Sequence, residues 1–243
     1  MDISNELILF EDLKKGRGWD FWFQCFQKFF TFLILIVFSP LMLLTIIAIK
    51  LDDPKGKIFY KGKRLGLYGK VFYMFKFRTL KEDSECKIGA ALLSKNSSYI
   101  TNIGKILRFT KLDELPQFIN VFLGDMNIIG PRPIRPILAR EYEKNIINYP
   151  LRFQVKPGLS GLAQVFGDYY TPPEQKLKYE LEYIRNQEIG YDLRLIYLTV
   201  YTILNSVVDK ILRKIPIKKP SLKTLTLRLQ KAANFLLIFL SGI

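Results

Sequence analysis

The sequence predicts an α+β protein attached to a membrane by an N-terminal apolar helix. Residues 29–49 carry no charged side chain, and from residue 57 onward strand-like segments alternate with helical ones. The length of the apolar run suits a bilayer, and the mixture of elements predicts an α+β domain. Lysine and arginine number 37 against 22 aspartates and glutamates, a net charge of +15 that favours an anionic partner.

The apolar run from Phe29 to Ile49 has Ser39–Pro40 near its centre and cations on both flanks. Proline removes a helix hydrogen bond and bends the helix. Cations on both flanks are expected to stay in the cytoplasm, and a helix–break–helix that enters and leaves by one face satisfies this expectation. Each half would reach roughly 15 Å, about half of the hydrocarbon core. A kinked spanning helix is equally compatible with the residues alone, and a buried soluble helix is a weaker third interpretation.

The chain contains no histidine and two cysteines, Cys25 and Cys86. Zinc–histidine sites and Ser–His triads are therefore excluded. The two thiols have no metal-ligand spacing and give no disulfide framework. A nucleophile, base or metal ligand must come from Asp, Glu, Lys, Tyr or Cys.

Beyond the apolar run, Lys57–Lys61 and Val71–Arg78 are predicted strands around a turn marked by Gly66–Gly69. The second strand ends in Lys76–Phe77–Arg78. Strand alternation places the two cations on one face, where they would either bind an anion or lie in solvent.

A helix around Ile103–Arg108 leads to the adjacent carboxylates Asp113 and Glu114, and Leu115–Leu123 predicts a second helix that stops at Gly124. An aspartate before a helix is commonly an N-cap, and that role does not conflict with catalysis. Carboxylates among arginines suit phosphate chemistry, because the cations hold an anionic substrate while a carboxylate attacks or binds a metal.

The rest of the chain is predicted to be mainly helical, with helices over Ile134–Asn148, Pro172–Gln187 and Tyr191–Val208 and a turn and strand over Lys156–Val165. A basic stretch and then an apolar end follow Asp209, as in a segment that lies on an anionic membrane. The predicted parts are an N-terminal segment with the membrane hairpin (1–50), a cytoplasmic domain with membrane-surface amphipathic helices (51–209) and a membrane-associated tail (210–243).

Three ordered blocks, Gly69–Thr79, Leu107–Pro133 and Lys156–Val165, carry a resemblance to a known family. The chain resembles the bacterial sugar transferases, small monotopic phosphoglycosyl transferases that start glycoconjugate assembly on polyprenyl phosphate. With the membrane segment, the resemblance covers roughly residues 28–208. It favours the hairpin, since the family's Ser-Pro break looks like Ser39–Pro40.

The resemblance implies transfer of a phosphosugar from a UDP-sugar to undecaprenyl phosphate, with release of UMP, at the cytoplasmic face of the bacterial inner membrane. Asp113 matches the nucleophile that forms a covalent phosphosugar intermediate, and Glu114 matches its acidic partner. The family uses Mg²⁺, for which these two carboxylates are the expected ligands. The residues expected to bind substrate are Lys76, Arg78, Arg108, Arg132 and Glu180. Anionic inner-membrane lipids and a second copy in a homodimer are further expected partners.

Three positions depart from the family pattern: Gly62 replaces a frequent glutamine, Asp168 a frequent arginine and Glu180 a usual aspartate. Two other functions compete with catalysis. A membrane scaffold would explain the hairpin and the charge but not the ordered block around Asp113. Nucleic-acid binding would explain the charge, but the cations are spread along the chain and no reader motif occurs, so no nucleic-acid partner is expected.

Overall fold

The computed structural model describes residues 20–81, 99–167 and 171–212, and it has an α+β architecture, as predicted. The strands are β1 (Phe59–Leu65), β2 (Val71–Phe77), β3 (Asn127–Ile129) and β4 (Gly158–Ser160). The helices are α1 (Asp20–Asp52), α2 (Asn102–Thr110), α3 (Gln117–Leu123), α4 (Pro136–Asn145), α5 (Leu162–Phe166), α6 (Pro173–Arg185) and α7 (Ile189–Leu212). The contacts divide the chain at Ile203–Leu204, and every feature below lies in the first unit, Met1–Ile203.

Helix α1 is one helix of 33 residues with Pro40 inside it. It is long and apolar enough to cross a membrane, and it is the one helix in the described part of the chain that is. Residues 36–40 at its middle are all exposed. Because neighbouring helical residues point about 100° apart, five in succession face every direction. The middle of α1 therefore stands clear of the rest of the protein.

Both ends of α1 contact the same domain. Near the start of the helix, the backbone N–H of Ile128 donates to Gln27 Oε1 at 2.8 Å. Near its end, Ile49 is buried in one hydrophobic cluster with Phe77 and Leu107. The two ends of the helix are thus anchored on one domain, whereas residues 36–40 between them are exposed.

Strands β1 and β2 form an antiparallel hairpin in which Phe59 pairs with Phe77 and Leu65 pairs with Val71. The predicted second strand is confirmed. The predicted first strand, Lys57–Lys61, begins two residues and ends four residues before the observed β1, because the limits of β1 are set by its pairing with β2. At the start of β1 the rings of Phe59 and Phe77 stack at 5.4 Å between centroids. In the connecting turn, Gly69 has a φ of 71°, a conformation that glycine adopts at little cost.

Strands β3 and β4 pair in parallel, with Asn127 opposite Gly158 and Ile129 opposite Ser160. A Cβ atom on Gly158 would collide with the backbone nitrogen of Gly130, so the close approach of the two chains requires glycine. The strand predicted over 156–165 is confirmed only over Gly158–Ser160, since the residues after Gly161 form helix α5.

Three small hydrophobic clusters contribute to the core in the described part of the chain. One joins β2 to α3 through Phe72 and Val121, and another joins α4 to α6 through Ala139 and Leu177. The third joins α1 to β2 and α2. The loop predicted over 81–99 lies mostly outside the described residues, as do the polar N-terminus and the tail after residue 212.

Candidate active site

The adjacent carboxylates Asp113 and Glu114 lie in a short 3-10 turn between helices α2 and α3. Helix α2 ends at Thr110, and Lys111 then takes a left-handed conformation with φ of 65°. For a residue other than glycine this conformation costs about 1–2 kcal/mol. The left-handed residue turns the chain immediately before the carboxylates and presents them at the junction of two helices.

The carboxylate of Glu114 is held by two cations from distant parts of the chain. Lys76 Nζ donates to Glu114 Oε1 at 2.8 Å, and Arg132 Nη2 donates to the same oxygen at 2.9 Å. Burial raises the pKa of Glu114, but the positive charges of Arg132, Lys76 and Lys111 outweigh it and lower the pKa well below its ordinary value. Glu114 is therefore ionised at neutral pH. Asp113, Glu114, Lys76 and Arg132 together are named the carboxylate cluster.

Asp113 is enclosed, with 7% of its surface exposed. Its Oδ2 lies 4.0 Å from Lys76 Nζ, and its Oδ1 is buried without a hydrogen-bond partner. Burial raises the pKa of Asp113, Lys76 opposes this effect and Glu114 adds to it, and the result is a raised pKa. The N-cap interpretation is not supported, because the residue that precedes α3 is Pro116. A bound water, metal ion or substrate would satisfy a buried carboxylate oxygen of this kind.

Lys76 is carried by the end of strand β2, and Asn120 of α3 holds that strand. The fully buried Asn120 accepts a hydrogen bond from the backbone N–H of Phe75 at 2.9 Å and donates to the carbonyl of Tyr73 at 2.8 Å. Burial lowers the pKa of Lys76, although the charge of Glu114 opposes the shift. Asn120 thus fixes Lys76 relative to the helix that follows the carboxylates.

Arg132 lies in the turn Gly130–Pro133, between two prolines. Its side chain is 47% exposed although its Nη2 contacts Glu114. The negative charge of Glu114 raises the pKa of Arg132. The guanidinium therefore neutralises Glu114 while part of it faces solvent, where it is available to an anionic ligand.

Two further arginines were predicted to bind substrate. Arg108 Nε donates to Thr79 Oγ1 at 2.9 Å, and its charge acts on Asp113, so Arg108 borders the carboxylate cluster. Arg78 Nη1 instead donates to Asp53 Oδ2 at 2.7 Å. The cations that were expected to act from one strand face, Lys76 and Arg78, therefore contact different carboxylates.

Glu180 of α6, also predicted to bind substrate, is buried in an ion pair with Arg152. Arg152 Nε and Nη2 donate to the two Glu180 carboxylate oxygens at 2.8 and 2.7 Å. Arg152 Nη2 also donates to the backbone carbonyl of Arg132 at 2.8 Å. Sequence reasoning missed Arg152, because the pattern Tyr149–Gln154 around it carries no motif and only the fold brings it to Arg132.

The remaining predicted positions lie away from the carboxylate cluster or outside the described residues. Ser39 Oγ donates to the carbonyl of Ile36 at 2.7 Å, inside the exposed middle of α1. Gly62 lies in β1 opposite Met74. Asp168 lies outside the described residues.

Within the described ranges, no three aspartate, glutamate or cysteine side chains converge to hold a metal. Asp113 and Glu114 nevertheless fit Mg²⁺, since Asp113 Oδ1 is buried without a partner. Magnesium keeps several waters and is usually bound by one or two carboxylates together with substrate phosphates. The chemistry of the donors therefore suits a metal that arrives with, or is completed by, a phosphorylated ligand.

The arrangement of charges suits the binding of an anionic phosphate and nucleophilic attack by a carboxylate on its phosphorus. Arg132 and Arg108 border the carboxylates, and Lys76 lies between Asp113 and Glu114. Fixed cations next to a carboxylate lower the cost of bringing a phosphate to it. Asp113 Oδ1 has no hydrogen-bond partner, so its lone pairs are not engaged by the protein.

Comparison with known proteins identifies the family of the chain and several of its relatives. Residues 19–206 match the family model described as bacterial sugar transferase. The chain is 42% identical over 176 residues to a UDP-glucose:undecaprenyl-phosphate glucose-1-phosphate transferase of Klebsiella pneumoniae, a match that covers 70% of this chain and 37% of the relative. It is 37% identical over 171 residues to a UDP-N-acetylgalactosamine-undecaprenyl-phosphate N-acetylgalactosaminephosphotransferase of Aeromonas hydrophila, covering 69% and 40%.

A relative of similar length is the exopolysaccharide production protein PSS of Rhizobium leguminosarum, which is 37% identical over 186 residues, covering 73% of this chain and 92% of the relative. In contrast, the matched region spans less than half of the length of the two transferases above. The family match includes all four residues of the carboxylate cluster and the apolar helix α1. The chain belongs to the bacterial sugar transferase family.

Proposed function

We propose that the protein transfers a sugar 1-phosphate from a UDP-sugar to undecaprenyl phosphate and releases UMP. The observation that carries the proposal is the carboxylate cluster. In it, Lys76 and Arg132 both donate hydrogen bonds to the ionised Glu114, and the adjacent Asp113 has a buried Oδ1 without a hydrogen-bond partner. The names of two relatives specify this reaction type with two different sugars. The exopolysaccharide role in the name of a third supports an early membrane step in the assembly of a surface glycoconjugate.

The reaction proceeds in two steps through Asp113. An Asp113 carboxylate oxygen attacks the sugar-linked phosphorus of the UDP-sugar, a new O–P bond forms, and the bond to the UMP oxygen breaks with its electron pair on UMP. An oxygen of undecaprenyl phosphate then attacks the same phosphorus and releases the Asp113 carboxylate. In a chain without histidine, a carboxylate is a nucleophile that needs no histidine to activate it. Burial raises the pKa of Asp113, and the positive charges of Lys76, Lys111 and Arg108 oppose that shift and favour the ionised form that attacks.

The other residues of the cluster neutralise charge and hold position. Arg132, Arg108 and Lys76 reduce the repulsion between the attacking carboxylate and the anionic phosphates. Glu114 holds Lys76 and Arg132 in place through its Oε1. Mg²⁺, held by Asp113 and Glu114 together with the phosphates, would supply further neutralisation of negative charge when bound.

The proposed membrane placement is monotopic, with α1 inserted from the cytoplasmic face of the inner membrane and returning to it. Two observations support it: both ends of α1 contact one domain, and its apolar middle around Pro40 is exposed on all sides. A straight helix that crossed the bilayer would carry one end roughly 30 Å away, on the other side. Insertion at this face holds the carboxylate cluster near the headgroups, where the acceptor phosphate lies.

The placement predicts that residue 10 and the domain after residue 50 lie on the same side of the membrane. Single cysteines introduced near residue 10 and at the exposed Lys105, in a chain without its two native cysteines, should both resist a membrane-impermeant thiol reagent in intact cells. Both should react after the membrane is opened, which controls for accessibility. Labelling near residue 10 in intact cells would contradict the proposal. Pro40→Ala should increase that labelling, because a straight helix favours spanning.

The reaction is tested by mixing the full chain in detergent or nanodiscs with undecaprenyl phosphate, Mg²⁺ and a panel of UDP-sugars. We expect release of UMP with one or a few of the sugars, which also identifies the donor. The negative control is the variant Asp113→Asn, which lacks the carboxylate. If no UDP-sugar yields UMP while the protein is folded and membrane-bound, the scaffold function is favoured instead.

A further inference from the structure

The buried ion pair between Arg152 and Glu180 makes a contact that the proposed reaction does not explain. Both side chains are 5% exposed, and Arg152 also donates from Nη1 to the hydroxyl of Tyr149 at 2.7 Å. Burial of two charges costs several kcal/mol in desolvation, which their attraction often fails to exceed. Replacing a buried ion pair by apolar residues of similar volume is often neutral or stabilising, so stability alone does not account for this pair. Its third hydrogen-bond partner suggests another role.

That third partner is the backbone carbonyl of Arg132, which accepts a hydrogen bond from Arg152 Nη2 at 2.8 Å. The turn around Arg132 has few ways to be held, because Pro131 and Pro133 have no N–H to donate. The carbonyl of Pro131 accepts from the backbone N–H of Gly158 at 2.9 Å. Arg152 thus supplies a side-chain anchor at the one residue of this turn whose guanidinium reaches Glu114.

A planar guanidinium is suited to this task. Arg152 donates to Glu180 from Nε and Nη2, to Tyr149 from Nη1 and to the Arg132 carbonyl from Nη2. These four hydrogen bonds fix the orientation of the planar guanidinium. Lysine at this position would keep the positive charge beside Glu180 but not the rigid fork. Glutamine at 180 would keep the shape but not the charge that aligns the fork.

We propose that Arg152 and Glu180 are positioning residues that hold the Arg132 turn, so that the Arg132 guanidinium lies at Glu114 and faces the diphosphate of the donor. Glu180 then affects the reaction through Arg152 and the Arg132 turn and does not contact the substrate. The inference rests on the proposed function, and it assigns a role to Arg152 that the motif residues do not include.

The test is a double-mutant cycle with UMP release as the readout. Arg152→Lys and Glu180→Gln are each made in the wild-type chain and in Arg132→Ala. In the wild-type background each should raise the KM for UDP-sugar and lower kcat/KM about tenfold, since a small misplacement of a positioned group has effects of this order or larger. The KM for undecaprenyl phosphate should stay within twofold. In Arg132→Ala the same changes should cost less than about twofold, because residues that act through one group are not additive.

The control is Asp192→Asn, a matched change of carboxylate to amide at a buried residue that accepts a hydrogen bond from Tyr183 at 2.9 Å. It should lower the melting temperature while kcat/KM stays within about twofold. The proposal is overturned if the tenfold loss recurs in Arg132→Ala, or if Asp192→Asn produces the same rise in donor KM. It is also overturned if both pair variants fail to fold, because the pair is then a folding element. Absence of UMP from the wild-type chain would instead refute the proposed function.

Discussion

Replacing Asp113 by asparagine is expected to lower the rate of sugar-phosphate transfer by about 10³-fold or more, the effect of removing a nucleophile from a covalent mechanism. The reason is local. Asparagine keeps the shape of the side chain in the 3-10 turn but has no carboxylate oxygen to form the bond to phosphorus. Asp192→Asn, a buried aspartate outside the carboxylate cluster, controls for loss of a buried charge.

The decisive measurement is the intact mass of the protein after incubation with UDP-sugar and Mg²⁺ but no acceptor. Wild type should gain the mass of one phosphosugar and release UMP before undecaprenyl phosphate is added, as a two-step mechanism requires. Asp113→Asn should gain no mass. An active Asp113→Asn enzyme, or an adduct that maps to another residue, would falsify the covalent step.

The same substitution should stabilise the fold. Burial raises the pKa of Asp113, so the folded state disfavours its ionised form. A group with a raised pKa contributes stability at low pH and loses it as pH rises through the folded value. Asparagine removes that loss, so Asp113→Asn should have a higher melting temperature than wild type at pH 7. The difference should shrink as the pH falls and Asp113 becomes protonated. A lower melting temperature for the variant at pH 7 would contradict this account.

Removing Arg132 is expected to be the second largest loss. Arg132→Ala removes a charge-assisted contact to the diphosphate and one of the two cations on Glu114, and should lower kcat/KM for UDP-sugar by about 2–4 kcal/mol, or roughly 30- to 1,000-fold. Arg132→Lys should recover only part of this loss, because lysine cannot make the planar bidentate contact. Initial rates of UMP release over a range of UDP-sugar concentrations measure both effects.

The matched control for this experiment is Arg140→Ala, which removes an exposed arginine from the neighbouring helix α4. It should leave the kinetics within about twofold, since an isolated surface charge contributes little. If Arg132→Ala keeps full activity, Arg132 does not belong to the site. If Arg140→Ala loses as much activity as Arg132→Ala, the effect reflects the net charge of the domain and not a specific contact.

The sequence predicted elements that are determined by neighbouring residues, such as strand β2 and the end of helix α3. Strand β2 was predicted from its β-branched and aromatic residues beside a glycine-marked turn. In the structure its residues alternate, with Phe72 and Met74 inside and Val71 and Tyr73 outside. The end of α3 follows from Gly124, which takes a left-handed conformation with φ of 90°. The start of β1 was predicted wrongly, because its register depends on β2. Helix α5 was predicted as a strand, because five residues with valine and phenylalanine do not distinguish the two.

By itself, the sequence determined which functional groups the protein can use: two adjacent carboxylates among cations, and no histidine. It also showed an apolar segment with a central proline and the ordered blocks that identify the family. Only the tertiary structure decided which charges meet. Lys76 and Glu114 are 38 positions apart, and Arg152 and Glu180 are 28 apart. Contacts at such separation depend on how helices and strands pack. The position of a charged residue in the sequence does not indicate which distant residue it will pair with. The same packing buries Asp113 and leaves its Oδ1 without a hydrogen-bond partner, whereas Glu114 Oε1 accepts from both Lys76 and Arg132. The sequence does not show this difference between the two neighbouring carboxylates.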